Sequence, residues 1–177
     1  EKLALFVERE EGVNPPLVPA VVEFVDIAGL VKGASEGQGL GNKFLSHIRE
    51  VDIICNVVRE FTDPDVVHVA GTVDAKRDRE IVETELMLAD LQTLGKQVEP
   101  RGKKDPRWDA IVELKAELNK GRPARSIMVD DAVKDLHLLS MKPVLYVENV
   151  SEDQLGGEGF KISAKVESEL ASLIEEE

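Results

Sequence analysis

A carboxylate and a glycine follow an apolar run near the start of the sequence, in a pattern that suits a phosphate site. Residues 21–25 are mostly β-branched or aromatic and are predicted to form a buried strand. Asp26 falls where that strand should end, and Gly29 completes an Asp-x-x-Gly pattern. A carboxylate can hold the water shell of Mg²⁺, and a glycine N–H can approach a phosphate oxygen because no Cβ intervenes. We therefore predict a magnesium and phosphate site at Asp26 and Gly29, with Asp26 holding the metal through water.

Glycines recur at short intervals after Gly29, and the residues between them are mostly polar. The predicted switch loop contains Lys32, Gly33, Gly37, Gly39, Gly41 and Asn42. Such a loop costs little to reshape, so we expect it to change order as a terminal phosphate arrives and leaves. Asn42 also suits the N-cap of a following helix over residues 42–50. The alternative is an ordinary connection between a strand and a helix.

This region resembles a known family. The third nucleotide-binding signature and switch II of the YchF, or Obg-like ATPase, family of P-loop NTPases resemble the run VEFVDIAGLVKGASEGQGLGNKFLSHIREVD. The likeness continues through IVETELMLADL and KPVLYVENVSE, so it covers nearly the whole chain. It implies an α/β fold with a mostly parallel, G-domain-like sheet. No GxxxxGK(S/T) phosphate loop occurs in these residues, and the resemblance places that loop upstream of residue 1 and a small TGS domain after the chain.

A second group of candidate site residues follows the apolar run 143–147. GTPases of the superfamily have Asn-Lys-x-Asp at this place, where the lysine packs on the base and the aspartate accepts two hydrogen bonds from guanine. Here Asn149 matches the asparagine, Val150 replaces the lysine and Glu152 replaces the aspartate. The longer glutamate does not assure the geometry that selects guanine, and the family's Asn-x-x-Glu variant is associated with ATP use. Without the resemblance, the stretch is equally typical of a loop with a helix N-cap.

Two further assignments depend on the resemblance. The run KISAK resembles the fifth signature, so Ser163, Ala164 and Lys165 are expected to contact the base through their backbone. Leu30 stands where most GTPases have a glutamine that orients the attacking water, and a leucine cannot hydrogen-bond a water. In the family a histidine at the position of His68 is the proposed substitute, which makes His68 the catalytic candidate. A lone histidine is otherwise more often a structural residue.

Residues 74–140 have the pattern of helices. Apolar side chains recur at helical spacing in two runs, which prolines and a glycine separate. These stripes are Met87, Leu91, Leu94 and Val98, then Trp108, Ile111, Leu114 or Lys115, and Leu118. Two such helices predict an antiparallel hairpin, like the coiled-coil insertion of the family, and a third helix over 131–140 would return the chain to the sheet. We therefore divide the chain into a nucleotide-binding domain, residues 1–73 and 141–177, and a helical insertion, residues 74–140.

The predicted hairpin carries a local excess of positive charge on an acidic chain. The net charge of the chain is −13, whereas residues 96–125 hold nine basic and five acidic side chains, a net charge of +4. The acidic remainder argues against broad binding of nucleic acid, but one basic patch can dock on RNA. The resemblance implies a ribosome-associated partner, and the predicted contact residues are Arg101, Lys103, Lys104 and Arg107. The alternative is an ordinary solvated helical surface.

Composition limits the class of protein. A length of 177 residues fits one domain, or one domain with an insertion. The single cysteine, Cys55, lies in the apolar run IICNVV and is predicted to be a reduced core residue of a cytoplasmic protein. No apolar run reaches the ~18 residues of a membrane span, and the acidic start does not resemble a signal peptide, so no membrane partner is expected.

Together, these features and the resemblance predict an ATP-hydrolysing P-loop NTPase of the YchF or Obg-like type, which binds Mg²⁺ with ATP or GTP and associates with the ribosome. Two alternatives stay open. One is a GTP-preferring switch of the Obg type, and the other is a non-hydrolysing adaptor that binds RNA or protein through the hairpin. The missing phosphate loop and Leu30 favour the adaptor for these residues taken alone.

Overall fold

The computed structural model describes residues 9, 12, 21–27, 40–66, 71–102, 105–127 and 131–174. Its α-helices are α1 (Leu40–Glu50), α2 (Ala75–Gly95), α3 (Pro106–Asn119) and α4 (Ala164–Ile174), and its strands are β1 (Ile54–Arg59), β2 (Val144–Asn149) and β3 (Lys161–Ile162). Short 3₁₀ helices span Ala124–Ser126, Asp131–Leu136, Leu139–Met141 and Glu152–Gln154. Within these ranges, no helix is both long enough and apolar enough to cross a bilayer.

The three strands form one parallel sheet in the order β1, β2, β3. Ile54 lies opposite Val144 and Arg59 lies opposite Asn149, while Asn149 also lies opposite Ile162. The carboxyl ends of all three strands therefore meet at one edge, which is where ligands bind in sheets of this kind. The predicted α/β class with a parallel sheet is confirmed.

Only one face of β1 is covered by described residues. Asn56 and Val58 are buried, whereas Cys55 and Val57 are exposed, in the two-residue period of a strand that is covered on one side. The prediction that Cys55 is a core residue is therefore wrong. An apolar run identifies the strand, but it does not tell which face of the strand another element covers.

The predicted strand at residues 21–25 is not formed. Residues 21–27 have no regular secondary structure, and Val21 and Phe24 are 87% and 86% exposed. A strand is stable only when a neighbouring backbone pairs with its N–H and C=O groups. No described strand pairs with this segment, so its β-forming composition alone does not produce a strand.

Helix α1 packs against α2 and is tied to the segment before β2. The shared buried cluster contains Leu45, Ile48, Leu86, Ala89 and Leu139. At the end of α1, the ammonium of Lys142 donates to the carbonyl oxygens of Arg49 at 3.1 Å and Val51 at 2.5 Å. The helix begins at Leu40, so Asn42 lies inside it and the N-cap prediction for Asn42 is wrong. A polar residue type near a helix start does not by itself fix which position is the cap.

Helices α2 and α3 pack against each other and against the returning segment. Both have aspartate N-caps, since Asp74 accepts a hydrogen bond from the N–H of Arg77 at 3.0 Å and Asp105 accepts one from the N–H of Arg107 at 2.9 Å. Their buried cluster contains Met87, Leu94, Ile111, Leu114, Leu118, Ala124, Val133 and Leu138. The predicted stripes therefore lie on the packed faces, except that Val98 is exposed beyond the end of α2. The domain division and the antiparallel hairpin stay predictions.

The segment that returns to the sheet is not one α-helix. Two 3₁₀ helices, Asp131–Leu136 and Leu139–Met141, replace the predicted helix over 131–140. His137 lies between them with φ of 45°, in the left-handed region that a right-handed helix cannot include. The prediction of a continuous third helix is therefore wrong, although Val133 is buried as expected.

A buried carboxylate joins α2 to this returning segment. Asp90 is fully buried and accepts hydrogen bonds from the backbone N–H groups of Leu139 at 2.7 Å and Ser140 at 2.8 Å. It also accepts one from the Ser140 hydroxyl at 2.6 Å, and the oxygen of that hydroxyl accepts from the N–H of Ala124 at 3.1 Å. Burial raises the pKa of Asp90 despite these hydrogen bonds. The network fixes the path of the chain just before β2.

Candidate functional site

The two predicted base-contacting segments meet at the carboxyl edge of the sheet. The side-chain oxygen Oδ1 of Asn149 accepts a hydrogen bond from the backbone N–H of Ala164 at 3.0 Å. The N–H of Val150 donates to the carbonyl oxygen of Ile162 at 2.8 Å, where β2 and β3 are paired. Backbone pairing and one side-chain amide therefore bring the end of β2 to the start of α4.

The site residues differ in what they can present to a ligand. Val150 and Ser163 are 3% and 4% exposed, so their side chains face the protein. Glu152, Ala164 and Lys165 are exposed. The groups that a ligand can reach at this edge therefore include the carboxylate of Glu152, the ammonium of Lys165 and the surface of Ala164.

The stretch around Glu152 is also a capped turn. Glu152 begins the 3₁₀ helix Glu152–Gln154, which Ser151 precedes. The N–H of Ser151 donates to Oε1 of Gln154 at 3.2 Å, and the N–H of Gln154 donates to the carbonyl oxygen of Ser151 at 3.0 Å. The alternative interpretation of this stretch, as a loop with a helix N-cap, is therefore also confirmed. It does not exclude a binding role, because the cap uses Ser151 and Gln154 and leaves the side chain of Glu152 exposed.

Asn149 has hydrogen-bonding capacity left for a ligand. Its Oδ1 is used by Ala164, and its Nδ2 donates no hydrogen bond within the described part of the chain. A side-chain amide nitrogen carries two N–H donors, whereas an ionised carboxylate such as that of Glu152 only accepts. This edge can therefore donate to the ring nitrogens of a purine and accept from an amino group.

An arginine without any sequence signature organises the loop beside this edge. Arg59 donates to the carbonyl oxygens of Phe61 at 3.0 Å and Val66 at 2.9 Å, and its guanidinium lies 4.4 Å from the centre of the Phe61 ring. The N–H of Glu60 donates to the carbonyl oxygen of Asn149 at 2.8 Å, which attaches the start of the loop to β2. Sequence reasoning missed Arg59 because its acceptors are backbone groups, which no residue type reveals.

Most of the predicted phosphate side of the site lies outside the described residues. The residues concerned are Gly29, Lys32, Gly33, Gly37, Gly39 and His68. Gly41 and Asn42 lie in the first turn of α1. Asp26 is described and exposed, and the next residue, Ile27, packs against the cluster of α1 and α2.

Asp26 is a suitable type of ligand for a nucleotide-bound Mg²⁺. That ion usually keeps several waters and takes one or two carboxylates together with substrate phosphates. Among the described residues, no group of three or more His, Cys, Asp or Glu side chains could hold a metal. A single exposed carboxylate therefore fits a metal that arrives with a nucleotide.

The predicted ribosome-contact residues are in different situations. Arg101 is exposed and forms no hydrogen bond or ion pair within the described residues. Arg107 instead makes a bidentate ion pair with Asp135, at 2.7 and 2.8 Å, and donates to the carbonyl oxygen of Ala132 at 2.5 Å. Hydrogen bonding from Arg107 lowers the pKa of Asp135. The other two residues, Lys103 and Lys104, lie outside the described residues.

Known proteins are similar to this chain over most of its length. A family model described as a 50S ribosome-binding GTPase matches residues 8–101. The ribosome-binding ATPase YchF of Bacillus subtilis (strain 168) is 45% identical over an alignment of 199 residues. The alignment covers 94% of this chain and 54% of that protein. Obg-like ATPase 1 of Caenorhabditis elegans is 41% identical over 148 residues, which cover 76% of this chain and 38% of that protein.

A solved structure agrees with these similarities. The structure of the Schizosaccharomyces pombe YchF GTPase matches with a TM-score of 0.62 and 32% sequence identity, covering 82% of this chain and 49% of that chain. This chain spans 54% of the length of its Bacillus relative. The chain therefore belongs to the 50S ribosome-binding GTPase family, and its resemblance to the YchF, or Obg-like, ATPases is confirmed.

Proposed function

We propose that this chain forms the base-binding and switch-bearing part of an ATP-hydrolysing enzyme that associates with the ribosome. The observation that carries the proposal is the hydrogen bond between Oδ1 of Asn149 and the N–H of Ala164, at 3.0 Å. It joins two segments that are distant in sequence at the edge where ligands bind in parallel α/β sheets. The names of the Bacillus and Caenorhabditis relatives, a ribosome-binding ATPase and an Obg-like ATPase, support the same activity.

Asn149 and Glu152 recognise the base. Because Ala164 holds Oδ1, the amide of Asn149 has a fixed orientation and offers its Nδ2 donors to a ring nitrogen. Glu152 accepts from an exocyclic amino group. Adenine presents such a group, whereas guanine also presents a ring N–H that needs a second, correctly placed acceptor oxygen. The longer side chain of Glu152 therefore favours ATP over GTP. Val150 and Ser163 are buried, so their side chains pack within the protein at this edge.

Asp26 and the glycine-rich loop serve the phosphates. Asp26 would hold Mg²⁺ through water, and Gly29 would place its N–H against the terminal phosphate. When bound, the ion would neutralise charge on the phosphate oxygens. When that phosphate leaves, Gly29 would lose its contact, so we expect residues 32–42, which end in the first turn of α1, to change order and the chain to act as a switch.

His68 orients the attacking water, since Leu30 cannot. The loop that leads toward His68 is held to the base edge by Arg59 and by the N–H of Glu60. We expect His68→Ala to lower the rate of ATP hydrolysis while leaving ATP affinity unchanged, and His47→Ala on α1 to be the matched control. Hydrolysis by His68→Ala at the parental rate would show that the role belongs to another group.

The ribosomal contact is made by the basic segment between α2 and α3. Arg101 is exposed and has no described partner, and its neighbours Lys103 and Lys104 extend the positive charge. Arg107 is paired with Asp135, so its main role is to hold α3 against the returning segment. Of the four predicted contact residues, we expect Arg107 to contribute least to ribosome binding. RNA phosphates are the natural partners of such a cluster.

Titration of fluorescent ATP and GTP analogues with Mg²⁺ tests the proposed activity. The proteins compared are this chain and a version joined to the upstream phosphate-loop segment that the family carries. We expect the joined version to bind nucleotide and to bind ATP more tightly than GTP. Tighter GTP binding would support the Obg-type switch, and no binding by either protein would support the adaptor that acts through the basic segment.

A further inference from the structure

Arg79 on α2 reaches across to the strand that carries Asn149. Its Nη2 lies 2.5 Å from Oε1 of Glu148, the residue directly before Asn149. The side chains of Arg79 and Glu148 are only 30% and 19% exposed. The guanidinium also lies 5.4 Å from the centre of the Tyr146 ring, on the same strand. Helix α2, which is not one of the base-binding segments, therefore contacts β2 one residue before Asn149.

Glu148 also lies beside the glycine-rich loop that leads to β3. A Cβ added at Gly159 would be in van der Waals contact with the carboxylate, 3.4 Å from Oε2 of Glu148, so the loop backbone lies beside this side chain. Gly159 has φ of +98°, which side chains rarely allow. The N–H of Glu148 donates to the carbonyl oxygen of Phe160 at 2.9 Å. Glu148 therefore contacts residues 156–160 through both its side chain and its backbone, and these contacts help to determine the path of the loop.

That path determines where Ala164 lies. Residues 156–160 run into β3, which is two residues long, and α4 begins at Ala164. Such a short strand has few bonds of its own to fix its position, because its described pairs are Glu148 with Lys161 and Asn149 with Ile162. The placement of the Ala164 N–H against Asn149 therefore depends on how β3 pairs with Glu148 and Asn149.

We propose that Arg79 is a positioning residue for the nucleotide base. By holding Glu148, it fixes the loop 156–160 and with it the separation of Asn149 from Ala164. This inference rests on the proposed function for its effect on nucleotide binding. Within the described residues, Nε of Arg79 is buried without a hydrogen-bond partner. Loss of the Glu148 carboxylate would therefore also remove the ion-pair partner of a half-buried guanidinium.

Amide hydrogen exchange at Ala164, followed by NMR on this chain, tests the positioning itself. We expect Arg79→Glu and Glu148→Arg each to speed exchange of the Ala164 amide roughly tenfold, and the double exchange of charges to restore it. The core amide of Leu94 should keep its protection in every variant, which shows that the fold is intact. An unchanged Ala164 rate in both single variants would overturn the proposal.

Arg125→Glu provides the matched control. Arg125 is also a half-buried arginine near β2, but its ion pair is with Glu83, and it donates to the hydroxyl of Tyr146 at 3.3 Å. Its substitution should therefore change overall stability without a selective change at Ala164. If Arg125→Glu speeds exchange at Ala164 as much as Arg79→Glu does, Arg79 has no special role.

Nucleotide titration connects the positioning to the base. In the version joined to the phosphate-loop segment, we expect Arg79→Glu to weaken ATP binding roughly tenfold and to leave binding of magnesium tripolyphosphate, which has no base, unchanged. Equal ATP affinity in the parent and in Arg79→Glu would overturn the proposal. If the parent itself does not bind ATP, the proposed function fails, and exchange at Ala164 still decides the positioning role.

Discussion

The side-chain oxygen of Asn149 accepts a hydrogen bond from the backbone N–H of Ala164, 15 positions further along the chain, at 3.0 Å. This bond uses the acceptor end of the amide and leaves the donor end for a ligand. The acceptor and donor functions of Asn149 can therefore be separated by substitution. Asp keeps an oxygen for Ala164 but has no N–H, whereas Ala has neither.

The first prediction concerns the two Asn149 variants. We expect both Asn149→Asp and Asn149→Ala to weaken ATP binding, by roughly tenfold or more, because both lack the Nδ2 donor. Only Asn149→Ala should lower the free energy of unfolding, by about 1 kcal/mol, because only it loses the bond to Ala164. Nucleotide titration and urea unfolding measure the two effects. Asn119→Asp, at the end of α3, is the control, and parental ATP affinity in Asn149→Asp would contradict the assigned donor role.

Glu152→Asp should change which base is preferred. Shortening the side chain by one methylene restores the residue type of GTP-binding relatives in the superfamily. We therefore expect the ratio of GTP affinity to ATP affinity to rise roughly tenfold, measured by titrating both nucleotides. The adjacent exposed acid Asp153, changed to Glu, is the control. A ratio that stays at the parental value would place base selection elsewhere.

The buried Asp90 predicts a particular pH dependence of stability. Burial raises its pKa above the usual 3.8, so the folded chain holds the proton more tightly than the unfolded chain does. The contribution of Asp90 to the free energy of unfolding is therefore complete below pH 3.8 and is lost as the pH rises through the raised pKa. Comparing unfolding curves of the parent and Asp90→Asn across this window isolates the effect.

The unfolding free energies of the parent and Asp90→Asn must be subtracted at each pH, because other carboxylates change the stability with pH in the opposite direction. Glu117 and Asp135 have lowered pKa values, since Lys120 and Arg107 donate hydrogen bonds to them, and they add stability as the pH rises. A parent and an Asp90→Asn variant with parallel curves would contradict the account of Asp90. We further expect Asp90→Ala to lower the free energy of unfolding by about 3 kcal/mol below pH 3.8, because it leaves the buried N–H donors of Leu139 and Ser140 without an acceptor.

Arg101→Ala should weaken binding to 50S ribosomal particles. If Arg101 contacts a phosphate, its removal lowers the affinity and reduces the slope of log affinity against log salt by about 1. Co-sedimentation with 50S particles over a salt series measures both quantities. Arg122→Ala is the control, because Arg122 is an exposed arginine that is already paired with Glu117 at 2.6 Å. Equal losses in the two variants would show that only overall charge matters.

Much of the fold was predictable from local patterns. The stripes of α2 and α3 identify the faces that pack, and the apolar runs before Arg59 and Asn149 coincide with two strands that pair in parallel. The resemblance also assigns the segments around Asn149 and Ala164 to one site, and the structure brings these two segments into contact, while their role in binding a base stays a prediction. The stripes and the apolar runs share a cause, since side-chain periodicity is a property of neighbouring residues in the sequence.

The features that sequence reasoning missed depend on partners that are distant in the chain. Cys55 is exposed because no described element covers its face of β1, and none of the described strands pairs with residues 21–25. Arg107 was assigned to a partner surface, but Asp135, 28 positions away, binds it. Arg79 likewise finds Glu148 at a separation of 69 positions. Tertiary contacts of this kind leave no periodic signal.

The most direct test of the central claim is an NMR titration of ATP with Mg²⁺ into the ¹⁵N-labelled chain joined to the phosphate-loop segment that the family carries. We predict that the largest changes in chemical shift occur at the side-chain amide of Asn149 and at the backbone amides of Ala164 and Lys165. Saturable changes at these positions, absent in Asn149→Asp, would establish that this edge of the sheet binds the base. Saturable binding of ATP with no change at Asn149 or Ala164 would contradict the account.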